Sequence, residues 1–300
     1  MGLQELSREL SALVEAAAAS VVRVEGEGRR RTPSSGVVWS EDGVVVATHH
    51  AVDTDEGIPV GLADGRVAEA GVVGRDPGSD LVVLRIATSG LSPARWSATD
   101  TARTGQLVVG LSRPGRAVRA HLGILSATVE GWRAPSGSRL ERYLESSIGL
   151  QPGFSGGLVL GADGAAIGVN TAGLLRGASL AVPAETVRRV VEALLAGRGV
   201  RRGFLGIGTQ PIALTPDLRA RLGQPQALLV LSVQPDTPAA RAGLLLGDVL
   251  LKAGGEPLSH PAALLPHLDE EQVGRSLPLE VLRAGEVLSV TVVVGERGAS

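Results

Sequence analysis

The 300-residue sequence has no cysteine, which excludes disulfides, thiolate metal sites and a cysteine nucleophile. It has only six aromatic residues (Trp39, Trp96, Trp132, Tyr143, Phe154 and Phe204), so the core has to be built from Val, Leu, Ile and Ala. It has no charge excess, since 29 Lys and Arg against 31 Asp and Glu leave −2. That balance argues against a nucleic-acid partner, because such surfaces are strongly cationic. No stretch reaches the roughly 18 uninterrupted apolar residues that a membrane-spanning helix needs. The N-terminus lacks the apolar run of a signal peptide, because Glu5, Arg8, Glu9 and Glu15 interrupt it. As it stands the sequence reads as cytoplasmic; if a leader has been removed, it reads as periplasmic or membrane-anchored.

What is abundant is glycine and proline, 41 and 17 residues, which favours many turns and therefore strands. With 44% apolar and 20% charged residues, wholesale disorder is excluded and the chain can bury a core. Its length suggests two domains at about 150 residues each. Leu3, Leu6, Leu10, Leu13 and Val14 recur at helical spacing, so 1–18 is expected to be an amphipathic helix with one buried stripe. From 19 to 186, short apolar runs such as Val21–Val24, Gly36–Trp39, Val44–Ala47, Leu81–Ile86, Leu107–Val109 and Ala166–Val169 alternate with Asp-Gly and Asp-Pro-Gly turns. This pattern predicts an all-β barrel or sandwich. At Val187, Val190, Val191, Leu194 and Leu195 the period becomes helical, and Gly197 supplies a stop. The segment 187–202, with its arginines from Arg198 on, reads as a helical linker. A second domain over 203–297 holds five strands and two helical pieces, Pro238–Ala242 and Pro261–Leu268.

The stretch Gln151-Pro-Gly-Phe-Ser-Gly-Gly-Leu158 has what acyl transfer requires. Gly153 lets the backbone turn so that its own N–H and that of Ser155 converge where an oxyanion would develop. A plain glycine-rich turn explains the same residues equally well. A serine nucleophile needs a base, and His50 stands directly after the strand Val44–Ala47. A metal pair with His49 is disfavoured, because adjacent side chains point apart and no partner at ligand spacing exists. His121, His260 and His267 read as surface or packing residues. Asp80 opens the buried run Leu81–Ile86, where a carboxylate is costly unless paired; a strand-initiating turn aspartate is the plainer reading.

The order His50, Asp80, Ser155, each at a strand edge, matches one known arrangement of a catalytic triad. With Ser35-Gly36-Val37-Val38, Ala47-Thr-His-His-Ala-Val52, Asp76-Pro-Gly-Ser-Asp-Leu81, Pro152-Gly-Phe-Ser-Gly-Gly157 and Gly168-Val-Asn-Thr171, the sequence closely resembles the HtrA (DegP-like) family of trypsin-like serine proteases. The resemblance implies a mainly β, chymotrypsin-like double barrel followed by a small α/β PDZ domain. In it His50 would be the general base, Asp80 would hold its tautomer, Ser155 would attack, and the N–H groups of Gly153 and Ser155 would form the oxyanion hole. No cofactor or metal is implied.

Several residues depart from the family pattern. Phe154 stands where relatives usually carry Asn or Asp, and a phenyl ring cannot pair with a freed N-terminal amine. Gly149 stands where cleavage after Arg or Lys would call for an acid. With Ile148, Leu150, Leu174, Leu175 and Leu180 it is expected to form an apolar substrate pocket. A homo-oligomer is compatible with the sequence. The family's usual trimer, however, depends on aromatics near the N-terminus, and none precedes Trp39.

The run from Asp236 to Leu250 resembles a signature segment of bacterial PDZ domains. Phe204, Leu205, Gly206 and Ile207 would be its carboxylate-binding loop and strand, adding a peptide C-terminus as an extra strand. The resemblance therefore implies an endopeptidase acting on unfolded or misfolded proteins in protein quality control. A catalytically silent peptide-binding or chaperone-like protein on the same scaffold is the alternative. An esterase of the α/β-hydrolase type is excluded, because its acid and histidine follow the serine.

Overall fold

The computed structural model describes residues 2–26, 33–97, 102–135, 137–149, 151–198 and 203–296. The chain forms two compact units, 1–199 and 200–300. After the helix Leu3–Ala18 (α1), the first unit holds Val21–Val24 (β1), Ser34–Val38 (β2), Val44–Thr48 (β3), Ile58–Gly61 (β4), Val67–Asp76 (β5) and Leu81–Ile86 (β6). These close into an antiparallel barrel in the order β1-β2-β3-β6-β5-β4. Leu107–Ser112 (β7), Arg119–Arg133 (β8), Arg139–Ser146 (β9), Leu158–Gly161 (β10), Ala166–Thr171 (β11) and Leu180–Pro183 (β12) close into a second. Its order, β10-β11-β12-β9-β8-β7, is the same cyclic path, so the two barrels share one topology. The first core is almost wholly aliphatic, including Val22, Val45, Ile58, Val82 and Leu84. The second adds Phe154 to Val108, Leu125, Leu144, Ile148 and Val159.

Two expectations need correction. The α1 stripe is only half-buried: none of its residues is fully buried and Leu3 is 84% exposed. The helix Ala184–Leu195 (α2) is not a linker in its packing, since it buries Val187, Val190, Val191 and Leu194 within the first unit. Leu194 lies over Gly74, where a Cβ would come within 2.8 Å of Leu194 Cδ2. A helix with one continuous apolar face needs a surface to cover, and the barrel supplies it. The rest of the expected linker, 199–202, and residue 297 lie outside the described residues.

The second unit runs Gly203–Phe204 (β13), Ile207–Ala213 (β14), Pro216–Leu222 (α3), Gln226–Val233 (β15), Pro238–Arg241 (α4), Val249–Ala253 (β16), Glu256–Pro257 (β17), Ser276–Arg283 (β18), Glu286–Val293 (β19) and Gly295–Glu296 (β20). The piece Pro261–Leu268 is a 3-10 helix, with Pro266 inside it. The sequence reading missed α3, although its signals are local: Thr215 caps Leu218 N–H, Pro216 opens the helix and Gly223 closes it at φ +70°. Asp248 anchors this unit, its carboxylate accepting from Leu245 N at 2.8 Å and from Arg283 Nε and Nη2 at 2.7 and 2.8 Å. Burial alone would raise its pKa, but the hydrogen bonds from Arg283 and Leu245 outweigh burial and hold the group below the usual carboxylate value.

A depressed carboxyl contributes stability that is present above its unfolded value, about 4, and lost as pH falls through the folded value. Calorimetric scans should therefore show the second unit losing stability on acidification, and Asp248→Asn should flatten that dependence. Leu194→Ala should destabilise the first unit by about 2–5 kcal/mol in urea. A loss below about 0.5 kcal/mol, the range of a neutral surface change, would return α2 to the role of a linker.

Candidate active site

Asp80 follows a turn that its neighbours shape. The Asp76 carboxylate accepts from Gly78 N (3.2 Å), Ser79 N (3.3 Å) and Ser79 Oγ (2.6 Å), an Asx-type arrangement. The next residue, Asp80, is left in the left-handed region at φ +59°, which Asp tolerates better than most side chains. Its carboxylate turns back over the end of β3. Oδ1 accepts from His50 N at 3.0 Å, Oδ2 lies 2.7 Å from His50 Nδ1, and Thr171 Oγ1 donates to Oδ2. Those partners offset the cost of a carboxylate that is 4% exposed.

His50 sits in the 3-10 turn His49–Ala51. With Nδ1 committed to Asp80, the reactive nitrogen left is Nε2. Arg75 secures the segment that follows, donating to the carbonyls of Val52 and Thr54 at 2.6 Å each and to Asp55. His49 turns the other way, 3.4 Å from Arg75 Nη1, and burial and that guanidinium's charge lower its pKa. The adjacent histidines therefore split between two tasks.

The Ser155 loop is held by glycines. Gly153 and Gly156 have φ of +87° and +83°. A Cβ on Gly153 would strike Pro114 and approach Pro33 O to 2.8 Å, and one on Gly156 would strike Ser35 O. Ser35 then ties the loop to the first barrel: its N–H donates to Ser155 O (3.0 Å) and its Oγ to Gly153 O (2.7 Å). The N–H groups of Phe154, Gly156 and Gly157 donate to Gln151, Asn170 and Phe154 carbonyls. Among the described residues those of Gly153 and Ser155, the expected oxyanion donors, are spent on no protein acceptor. Phe154 is 1% exposed and meets His121 edge-on at 4.6 Å, so the loop is pinned by apolar burial, worth about 1.5–3 kcal/mol, rather than by an ion pair.

The connection between the barrels comes from Thr171, which sequence reasoning used only as part of a family motif, and from Ala172 and Gly173, which it did not single out. Thr171 donates to Asp80, Ala172 N–H donates to Ser155 Oγ at 3.3 Å, and Gly173 N–H donates to Thr171 Oγ1 at 2.9 Å. A Cβ on Gly173 would overlap Asp80 Oδ2 and lie 2.8 Å from His50 Nδ1. Three successive small residues thus reach all three members of the expected triad. Their run of Thr, Ala and Gly after a buried strand is the only local signal that could have found them.

The expected pocket is rearranged. Ile148 is 1% exposed, its side chain filling the space above Gly110 and Gly123 against Phe154, so it belongs to the barrel core and not to a surface. Two side-chain-free positions draw it inward. Leu180 and Leu174 are also buried, whereas Gly149 and Leu175 are exposed; Leu150 lies outside the described residues.

In the second unit, β14 is a terminal strand of its sheet, paired among the described residues only with β15. The carbonyls of Leu205 and Gly206 accept from Ala239 N (2.9 Å) and Gln234 N (2.8 Å). Because a trans peptide points its N–H opposite its C=O, the N–H groups of Gly206 and Ile207 face away from those partners. Gly206 has φ +84° with Thr237 against it, Leu205 is buried in the core, and Phe204 and Ile207 are half-buried.

Gly173→Ala should lower kcat/KM at least 10²-fold, since a methyl group would displace the carboxylate that holds His50 and a small misplacement costs about that much. Circular dichroism should show the fold retained; an active Gly173→Ala protein would contradict this geometry.

Residues 34–169 match the trypsin-like peptidase domain and residues 203–294 the PDZ domain. A protein of Halomonas elongata named as a probable periplasmic serine endoprotease, DegP-like, is 32% identical over 277 residues, which cover 89% of this chain and 57% of that protein. The chain thus spans little more than half the length of that relative. The serine endoprotease DegS of Escherichia coli is 29% identical over 308 residues, 96% of this chain and 86% of that protein. The solved structure of the HtrA-type protease AlgW with a tripeptide is 31% identical, with a TM-score of 0.71 over 96% of this chain and 97% of that one. On its two-barrel fold, its PDZ module and these similarities, the chain belongs to the HtrA-type family of trypsin-like proteases.

Proposed function

We propose that this chain is a serine endopeptidase that cleaves unfolded or misfolded proteins, its PDZ domain capturing peptide C-termini to recruit substrate or regulate cleavage. The observation that carries this reading is the segment Thr171–Gly173, which touches Asp80, His50 and Ser155 together. His50 Nε2 takes the Ser155 hydroxyl proton as Oγ attacks the scissile carbonyl, and Asp80 stabilises the imidazolium through Nδ1–H. The developing oxyanion receives the N–H groups of Gly153 and Ser155. His50 then gives its proton to the leaving amine, and water repeats the sequence to release the acyl group. The proton taken from Ser155 thus leaves on the amine product, and the one taken from water returns through His50 to Ser155.

The residue before the cut is uncharged in this reading, because Gly149 is exposed where a cation would need an acid. The open edge of β14 supports strand addition of a peptide. The relatives' names support the periplasmic branch of the compartment expectation. No helix among the described residues is long and apolar enough to cross a membrane. A silent peptide-binding scaffold has no need for a carboxylate buried against His50, which favours the enzyme.

A fluorophosphonate probe should label Ser155 stoichiometrically, and Ser155→Ala and His50→Ala should abolish labelling. Labelling that survives His50→Ala would remove His50 as the base, and none even with a hydrophobic C-terminal peptide added would favour the silent scaffold. In a peptide library, cleavage mainly after Lys or Arg would overturn the uncharged pocket.

A further inference from the structure

Arg113, in the turn after β7, is 5% exposed. Its guanidinium donates to three carbonyls: Nη2 to Ala18 O at 2.8 Å, Nε to Val21 O at 2.7 Å and Nη1 to Arg116 O at 2.6 Å. Ala18 ends α1, Val21 begins β1, and Arg116 belongs to the same turn as Arg113 itself. The cation therefore meets the carbonyl end of a helix, where the dipole is negative and where α1 has no basic residue of its own. From the same residue, the backbone N–H donates to Ser35 Oγ at 2.8 Å, and that hydroxyl donates to Gly153 O at 2.7 Å. With one donor and one acceptor engaged, the hydroxyl has a fixed direction. The next residue, Pro114, packs directly on Gly153.

We propose that Arg113 is a positioning residue for the oxyanion hole, its three-carbonyl clamp fixing the 113–116 turn to α1 and β1 and Ser35 passing that position to the Gly153 carbonyl. This rests on the endopeptidase reading above. Phe154 leaves the loop no ionic lock, and the end of the N-terminal helix takes that task through neutral groups. The triad does not need Arg113: Asp80, His50 and Thr171 meet without it.

The test uses the full chain with fluorescein-labelled casein as the unfolded substrate. Ser35→Ala and Arg113→Gln should each lower kcat roughly 10- to 100-fold, less than the roughly 10²- to 10³-fold that outright removal of one oxyanion donor costs, and leave KM nearly unchanged. Arg113→Lys, which keeps the charge but gathers its donors on one nitrogen, should recover part of the loss. The double variant Ser35→Ala/Arg113→Gln should be no slower than the slower single one, as expected of two residues in one hydrogen-bond network. Additive kcat losses, or an unchanged kcat in Ser35→Ala, would overturn the proposal. If Arg113→Gln does not fold, Arg113→Lys completes the same cycle. A wild type that neither cleaves casein nor takes up the fluorophosphonate probe would remove the endopeptidase reading and this proposal together. An active wild type with an indifferent Ser35→Ala removes this proposal alone.

Discussion

A carboxylate buried at 4% exposure is expensive, and the arrangement of the protease unit follows from how Asp80 is compensated. Two of its partners, the backbone N–H and the Nδ1 of His50, lie in its own barrel, and the third, Thr171 Oγ1, comes from the other barrel. Satisfying one charge therefore fixes the imidazole and joins two independently closed sheets. Because Gly173 leaves no room for a side chain there, the second barrel can approach until the hydrogen bond forms. Neither barrel alone would present a complete set of donors to this carboxylate.

The Ser155 loop shows a complementary economy. Gly153 and Gly156 adopt positive φ, and Gly156 and Gly157 admit the carbonyls of Ser35 and Leu111 to distances that no Cβ allows. Their conformational freedom would make such a loop floppy. The compensation is a set of short hydrogen bonds to Ser35, Asn170 and Gln151, together with a phenyl ring sunk into the second core. The N–H groups of Phe154, Gly156 and Gly157 are consumed in holding the loop, whereas among the described residues those of Gly153 and Ser155 meet no protein acceptor.

The second unit carries its own logic. Its terminal strand follows a loop whose carbonyls are tied to Gln234 and Ala239, which orients the opposite N–H groups in advance of any ligand. An unpaired strand edge of this kind needs either a cover or a use. Asp248, just before β16, holds Arg283 of β18, so the open edge of β14 belongs to a sheet with a fixed frame.

Much of this was legible from local pattern. Short apolar runs between Asp-Gly turns marked the barrels, the order of His50, Asp80 and Ser155 marked the candidate site, and the run from Asp236 marked the second unit. Those signals are carried by neighbouring residues, and backbone sterics and hydrogen bonding act over a few positions. The sequence alone left open which way Ile148 faces, because strand alternation assigns a face only once register and the vacancies above Gly110 and Gly123 are known. Likewise α2 looked like a connector until a barrel surface existed for it to cover. The roles of Thr171, Gly173 and Arg113 depend on contacts between residues about 90 positions apart. Such contacts exist only when two closed sheets and a helix end are brought together, and that was decided by tertiary structure.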